Sequence, residues 1–285
     1  MNRRLGTFIL ALPGLVWWGL FLVTPVAMIL AYAFFQRGTY GGVVPDFTFD
    51  NLARVFDPLY FRIFIDSARI ATESAVIALL IGYPAAFAIA RTSKAWQIPL
   101  LFLVILPFWS NYLIRTYAWI VLLSRTGVIN NALMATGVID QPLDMLYSEP
   151  AVIVGLVYNY LPFVVLTVYA SIQRLNFELM EASEDLGAGG WTTFRRVILP
   201  LTLPGVAAGG VFVFVLSIGN FVTPDLLGGK RVVMIGNLVQ NQFTAARDWP
   251  FGSALSLTLL TIMVGLLALQ SWTQSRLRNI EGDHA

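Results

Sequence analysis

From Phe8 to Phe35 the chain carries no charged side chain, and five further stretches approach the same length and apolar character. About 20 apolar residues in a helix cross the hydrocarbon core of a bilayer. The core of a soluble domain has no use for runs so long. Composition agrees: of 285 residues, 57% are hydrophobic and 12% charged, against about 25% charged in a soluble domain. The chain therefore reads as an all-α integral membrane protein, a single transmembrane domain over 1–285. Its six helices are expected at about 8–35, 67–90, 97–123, 150–173, 200–222 and 252–273. Arg3 and Arg4 before the first run, and Ala31-Tyr32-Ala33 within it, imitate a secretion signal. The run exceeds the roughly 7–15 apolar residues of such a signal, so it reads as an uncleaved first span.

Basic residues flank the spans unevenly. With the N-terminus inside, Arg3, Arg4, Arg91, Lys94, Arg174, Arg195, Arg196, Arg276 and Arg278 all fall beside cytoplasmic span ends. The opposite segments are longer and also hold Asp46, Asp50, Asp57 and Asp144. The density of basic residues places both termini in the cytoplasm. Pro25, Pro84, Pro107, Pro162 and Pro204 lie in or near five of the spans. Each removes a backbone hydrogen bond, which points to bent helices around a path.

Several chemistries are excluded. The chain has no cysteine and one histidine, His284, in its last residues, so no thiolate or His-based metal centre or triad is expected. A net charge of +2 gives no reason to expect nucleic acid. A phosphate-cradling loop needs Gly-Lys-Ser/Thr, yet Lys94 precedes Ala95 and Lys230 precedes Arg231. No catalytic residue, metal or cofactor is expected. Any ATP that drives transport must be hydrolysed by another polypeptide.

The segment 174–199, between the fourth and fifth spans, is the most informative. It contains Glu181-Ala182-Ser183, Gly187, a second amphipathic stretch from Trp191, and Leu199-Pro200. Residues 177–186 have helical spacing, Gly187 permits a turn that other residues resist, and 191–199 form a second short helix that Pro200 is expected to end. The product is a two-helix knob. From amphipathicity alone, a loop lying on lipid headgroups is an equally good reading.

The spacing resembles the EAA loop of bacterial binding-protein-dependent ABC permeases: Glu-Ala-Ala, three residues, Gly, nine residues, Ile-x-Leu-Pro. Glu181, Ala182, Gly187, Leu199 and Pro200 match, whereas Ser183 replaces the second alanine and Val197 the isoleucine. The resemblance implies a MetI-like ABC importer permease bundle whose cytoplasmic coupling helix docks on an ATPase. Glu181 would bear on the ATPase surface, and Gly187 would set the angle between the two short helices.

Over roughly 60–275 the chain resembles spermidine/putrescine-type permeases, the first of their two permease subunits most of all. The stretches Asp225-Leu226-Leu227-Gly228-Gly229-Lys230, Ile235-Gly236-Asn237, Gln242-Phe243 and Arg247-Asp248-Trp249-Pro250-Phe251-Gly252 carry that likeness. It implies translocation of a polyamine across the bacterial inner membrane. The expected partners are two copies of an ATP-binding subunit, a second permease subunit, a periplasmic substrate-binding protein and membrane lipid. The same machinery for an opine or another small organic solute is the alternative. A stand-alone ion-driven carrier is the third reading, and it has no need of a docking knob.

A polyamine path wants carboxylates or carbonyls for ammonium groups and aromatic faces for cation–π contact. Glu73 lies within a span, where an ionisable group is costly and usually functional; an i,i+4 pair with Arg69 is the equal alternative. Trp109, Asn111, Tyr112, Arg115, Tyr117 and Trp119 populate the third span, and Tyr158-Asn159-Tyr160 the fourth. Arg115 reads as a gate or as a partner of Glu73. Asn220 and Asp225 close the fifth span. Glu73, Tyr158, Asn159 and Asp225 are the expected path-lining residues.

Overall fold

The structure, a computed structural model, describes residues 3–282 and the side chains of 10–272. His284 lies outside the described residues, as do the side chains of Arg3, Arg4, Arg276 and Arg278. The chain is helical almost throughout. The first span joins α1 (Arg3–Trp18) to α2 (Thr24–Tyr32) through a π turn at Gly19–Val23. A hairpin of β1 (Phe35–Arg37) and β2 (Val43–Phe47) follows, then α3 (Asp50–Val55) and the long α4 (Pro58–Arg91). Next come α5 (Lys94–Ile105), α6 (Tyr112–Leu123), α7 (Val128–Ala135) and α8 (Glu149–Ile172). The last third holds α9 (Glu178–Asp185), α10 (Gly190–Thr193), α11 (Leu199–Ile218), α12 (Ile235–Thr244) and α13 (Trp249–Gly282). Among the described residues, six stretches are long and apolar enough to cross a membrane, and Lys94–Trp109 is a shorter apolar one.

Three departures from the expected spans matter. The segment 97–123 is not one helix: α5 tightens into a 3-10 turn at Leu106–Trp109, and Ser110 and Asn111 are extended before α6 begins. Pro107 cannot donate within the turn, and the Asn111 side chain accepts from the Leu113 amide, giving α6 a fresh N-cap. The fifth span ends at Ile218 rather than 222. Its other end is not stopped at Pro200, for helix continues from Gly190 into α11 through a π turn at Phe194–Ile198. There the Leu199 amide reaches back to Phe194 O, and the wide turn accommodates a proline that has no N–H to give.

Contacts divide the chain into two compact units, one of residues up to 62 with 238–262, the other of 63–237 with the rest of α13. In the first, β1 pairs antiparallel with β2, Phe35 opposite Phe47. Buried Asp248 organises this unit. Its carboxylate accepts from the Phe251 amide at the start of α13 and from Arg54 at 3.1 Å, and the Arg54 guanidinium lies 3.9 Å over the Phe251 ring. Asp248 and Phe251 belong to the stretch that carried the family likeness.

In the second unit α8 is the hub. Gly82 of α4 backs onto Val164, Gly205 of α11 onto Thr167 and Ser171, and Gly209 onto Val164 and Thr167. Where lipid replaces water outside, helices gain little from hydrophobic burial and associate by close packing of small residues. Alanines at 75, 78, 86 and 90 and valines at 157, 164, 165, 168 and 213 fill the same core. A Cβ at Gly209 would lie 2.5 Å from Thr167 Oγ1 and 3.2 Å from Val164 Cα, whereas one at Gly210 meets only the end of Leu79. Gly209→Leu is therefore expected to destabilise the purified protein by about 1–3 kcal/mol, the usual cost of overpacking, and Gly210→Ala to be near neutral. Thermal unfolding in detergent measures both.

Candidate functional site

The interrupted third span meets the end of the fifth. The Asn220 side chain, just past the end of α11, donates to the hydroxyl of Tyr112 at 2.5 Å and to that of Tyr160 at 2.6 Å. Its Oδ1 accepts from the Thr223 amide, opening the π turn Pro224–Gly228. Tyr112 OH and Thr223 Oγ1 share a hydrogen bond of 2.5 Å. Tyr160 is eleven residues from the start of α8 and twelve from its end, about 16 and 18 Å at 1.5 Å per residue. The network thus lies near mid-span, the depth at which broken helices form solute sites in transporters.

On the same helices, α6, α8 and α11, are buried polar atoms without partners. Asn159, 1% exposed, leaves both its amide nitrogen and its oxygen unbonded, as does Ser217 its hydroxyl. Arg115, one helical turn beyond the break before α6, leaves Nε and Nη1 unbonded, and its guanidinium sits 4.8 Å over the Phe108 ring and 5.7 Å over that of Tyr112. Buried polar groups are nearly always paired, so this cluster is the place in the second unit where the polar inventory is least complete.

The expected path residues fall differently. Asn159 borders the network in sequence, but Tyr158 does not join it: the neighbouring Tyr160 does, while Tyr158 packs edge-on against Trp119 at 5.5 Å. Glu73 lies in an ion-pair cluster, half-exposed, 3.1 Å from Arg69, whose guanidinium is also bidentate to Glu149 at 2.6 and 2.7 Å. Arg69, and not Arg115, is therefore the partner of Glu73; sequence separation hid Glu149, 80 residues away. Asp225 is exposed in the π turn after Thr223. Sequence reasoning had Tyr112, Tyr160 and Asn220 in view without joining them. The available signal was Asn111 and Asn220, two capping residues inside otherwise apolar spans.

The loop 174–199 has the geometry of a compact knob. Gly187 has φ +80° and ends α9 with two reversed bonds, its own amide to Glu184 O and the Ala188 amide to Ser183 O. This is a Schellman cap, which glycine adopts without the penalty a Cβ brings. Ser183, the departure from the alanine pattern, shares a 3.0 Å hydrogen bond with Thr193, tying α9 to α10. Leu186 and Trp191 are 89% and 73% exposed at the tip, and Glu181 and Ala182 are exposed on α9. Behind the tip, Trp191 stacks on Phe194, Phe194 meets the Tyr83 ring edge-on at 5.6 Å, and Tyr83 OH bonds Thr202 of α11 at 2.9 Å. Leu199 is half-buried and Pro200 exposed at the foot of α11.

Six apolar spans, an interrupted helix at 106–111 that meets the end of α11, and a knob with apolar tips describe a membrane permease. The family model for the inner membrane component of binding-protein-dependent transport systems matches residues 2–279, and the chain belongs to that family. It is 44% identical over 263 residues to the spermidine/putrescine transport system permease protein PotB of Escherichia coli (strain K12), covering 92% of this chain and 95% of that protein. The protein of the same description in Haemophilus influenzae is 40% identical, over 92% of each. A solved bacterial alginate ABC transporter in complex with a periplasmic protein aligns over 96% of both chains with a TM-score of 0.74 and 20% identity, a likeness of fold.

Asn220→Leu keeps the volume but leaves the Thr223 amide and two tyrosine hydroxyls short of a partner. Each such group costs about 1–3 kcal/mol when buried, so a lower unfolding temperature with unchanged membrane insertion is expected. Calorimetry and membrane fractionation together check it.

Proposed function

We propose that this chain is one permease subunit of an ATP-driven importer that carries a polyamine of the spermidine or putrescine type across the bacterial inner membrane. The identity of 44% to the spermidine/putrescine permease over 92% of the chain is the observation that carries this reading. Both termini and the 174–199 knob face the cytoplasm, and the whole chain works as one transmembrane domain. Two copies of an ATP-binding subunit grip the knob through Leu186, Trp191 and the Glu181 face, a second permease completes the path, and a periplasmic binding protein delivers the solute.

The geometry supports a division of labour. At the outer end Glu73, Glu149 and exposed Asp225 offer carboxylates to an approaching polycation. Deeper on α8, Tyr158 lines the path from its place against Trp119 and Asn159 from its place beside Tyr160 in the chain, and hydroxyls, amide oxygens and ring faces replace water around ammonium groups. At the inner end the chain Trp191–Phe194–Tyr83–Thr202 delivers movement of the knob to α4 and α11.

The primary test is uptake of labelled putrescine and spermidine by cells lacking this chain but retaining its partners. Uptake is expected only when the wild-type chain is supplied; deletion without loss of polyamine uptake, in cells with no second importer, contradicts the substrate. A second test concerns coupling. Gly187→Val forces a side chain into a left-handed backbone, at about 1–2 kcal/mol, and opens the cap of α9. Transport is expected to fall at least tenfold while the chain remains in the membrane, with the ATPase released or its activity no longer responsive to the loaded binding protein. Full uptake by Gly187→Val would remove the knob from the coupling path.

A further inference from the structure

Arg115 is a charge that the junction's hydrogen bonds do not use. It is 8% exposed, near mid-span, and no carboxylate among the described residues lies within ion-pair distance of it. Three acids of this unit are paired with other arginines, Glu73 and Glu149 with Arg69 and Asp144 with Arg125, and Asp225, which follows Thr223 in the π turn, is exposed and makes no ion pair with Arg115. An ionised side chain at this depth is expensive, and those that persist mark ion or substrate pathways. Stacking on Phe108 and Tyr112 compensates only part of that cost. These two rings stand on opposite sides of the break at Ser110–Asn111, and Tyr112 is also the residue that ties α6 to Asn220 and Thr223. The guanidinium therefore occupies the one pair of aromatic faces within the broken-span junction on which a cation sits, among the described residues.

We infer that Arg115 is a tethered cation that occupies the junction's aromatic seat in the idle importer and so closes it to free cations. The device works twice over. The seat is filled by a group that cannot diffuse away, and its charge repels any small cation entering the same low-dielectric region, as a fixed arginine does in selective pores. An importer of organic cations needs such a barrier, since an open path lined for ammonium groups would also conduct potassium and dissipate the membrane potential. The drive from the ATPase then has a defined task at this depth, to move α6 so that the guanidinium leaves the rings and a substrate ammonium replaces it. The inference rests on the proposed reading that the junction lies on the path.

The test uses the complete importer, this chain with its partner permease and ATPase, in liposomes without ATP or binding protein. Potassium, chloride and sorbitol permeabilities are measured separately. Wild type is expected to be tight or to leak chloride in preference to potassium. In Arg115→Gln, potassium permeability is expected to rise by about tenfold or more with sorbitol unchanged, and Arg115→Lys is expected to stay tight. Phe108→Glu, which neutralises the guanidinium by pairing instead of removing it, is expected to leak potassium as well. It serves in place of the Gln variant where that one does not assemble. A wild-type leak that favours potassium, a neutralised variant as tight as wild type, or a parallel rise in sorbitol that reports a loosened bundle would each overturn the inference. ATP-driven putrescine uptake by wild type in the same vesicles reports on the substrate reading independently.

Discussion

A helix that stops inside a bilayer exposes amides and carbonyls where no water can meet them, and each must find a partner in the protein. This chain interrupts one span at 106–111, ends another at Ile218 beside that break, and provides for both. Asn111 caps the first turn of α6, and Asn220 caps the turn after α11 while binding two tyrosine hydroxyls. The carbonyl end of α11 is covered by the first turn of α12, close enough that a Cβ at Gly236 would sit 2.8 Å from Gly219 O. Those obligations explain why Tyr112, Tyr160 and Thr223 stand where they do, and they create a polar seat inside an otherwise apolar bundle.

Between the seat and the knob run α8 and α11, the most extensively packed pair of helices among the described residues. Glycines at 205 and 209 let α11 approach α8 to backbone contact. At one end of α11, Thr202 is tied to Tyr83 and through Phe194 to the knob. At the other end, about 30 Å away along 20 residues, the helix gives way at Gly219 to the Asn220 network. On the proposed reading, this is the contact route by which a displacement at the knob would reach the junction.

Much of this was legible in sequence. The apolar runs announced the spans because lipid demands about 20 residues of uniform character. Gly187 between two short amphipathic stretches announced a turn that other residues resist, and the structure gives it a left-handed backbone, φ +80°. The failures have local causes. Pro200 reads as a stop only if every turn is an α turn; the π turn at Phe194–Ile198 removes the conflict. Tyr158 and Tyr160 are two residues apart in one helix, so they point to different sides, and only the position of α11 decides which one meets Asn220. Arg69 was visible as the i,i+4 partner of Glu73, but Glu149 at the head of another helix was not, since no local pattern joins residues 80 apart.

The central claim is that the interrupted third span and the end of the fifth form a hydrated seat that the solute visits. The chain has no native cysteine, so a single thiol placed at Ser217, whose buried hydroxyl has no hydrogen-bond partner, can be probed without background and without removing the Asn220 bonds, with one at Tyr40, 98% exposed, as the fully reactive reference. The direct measurement is the rate at which a small cationic thiol reagent labels position 217 in the assembled importer during turnover, with and without polyamine-loaded binding protein. The account predicts labelling that requires ATP and is slowed by the loaded binding protein. A thiol at 217 that stays unreactive throughout, or that reacts at a rate indifferent to both, would contradict it.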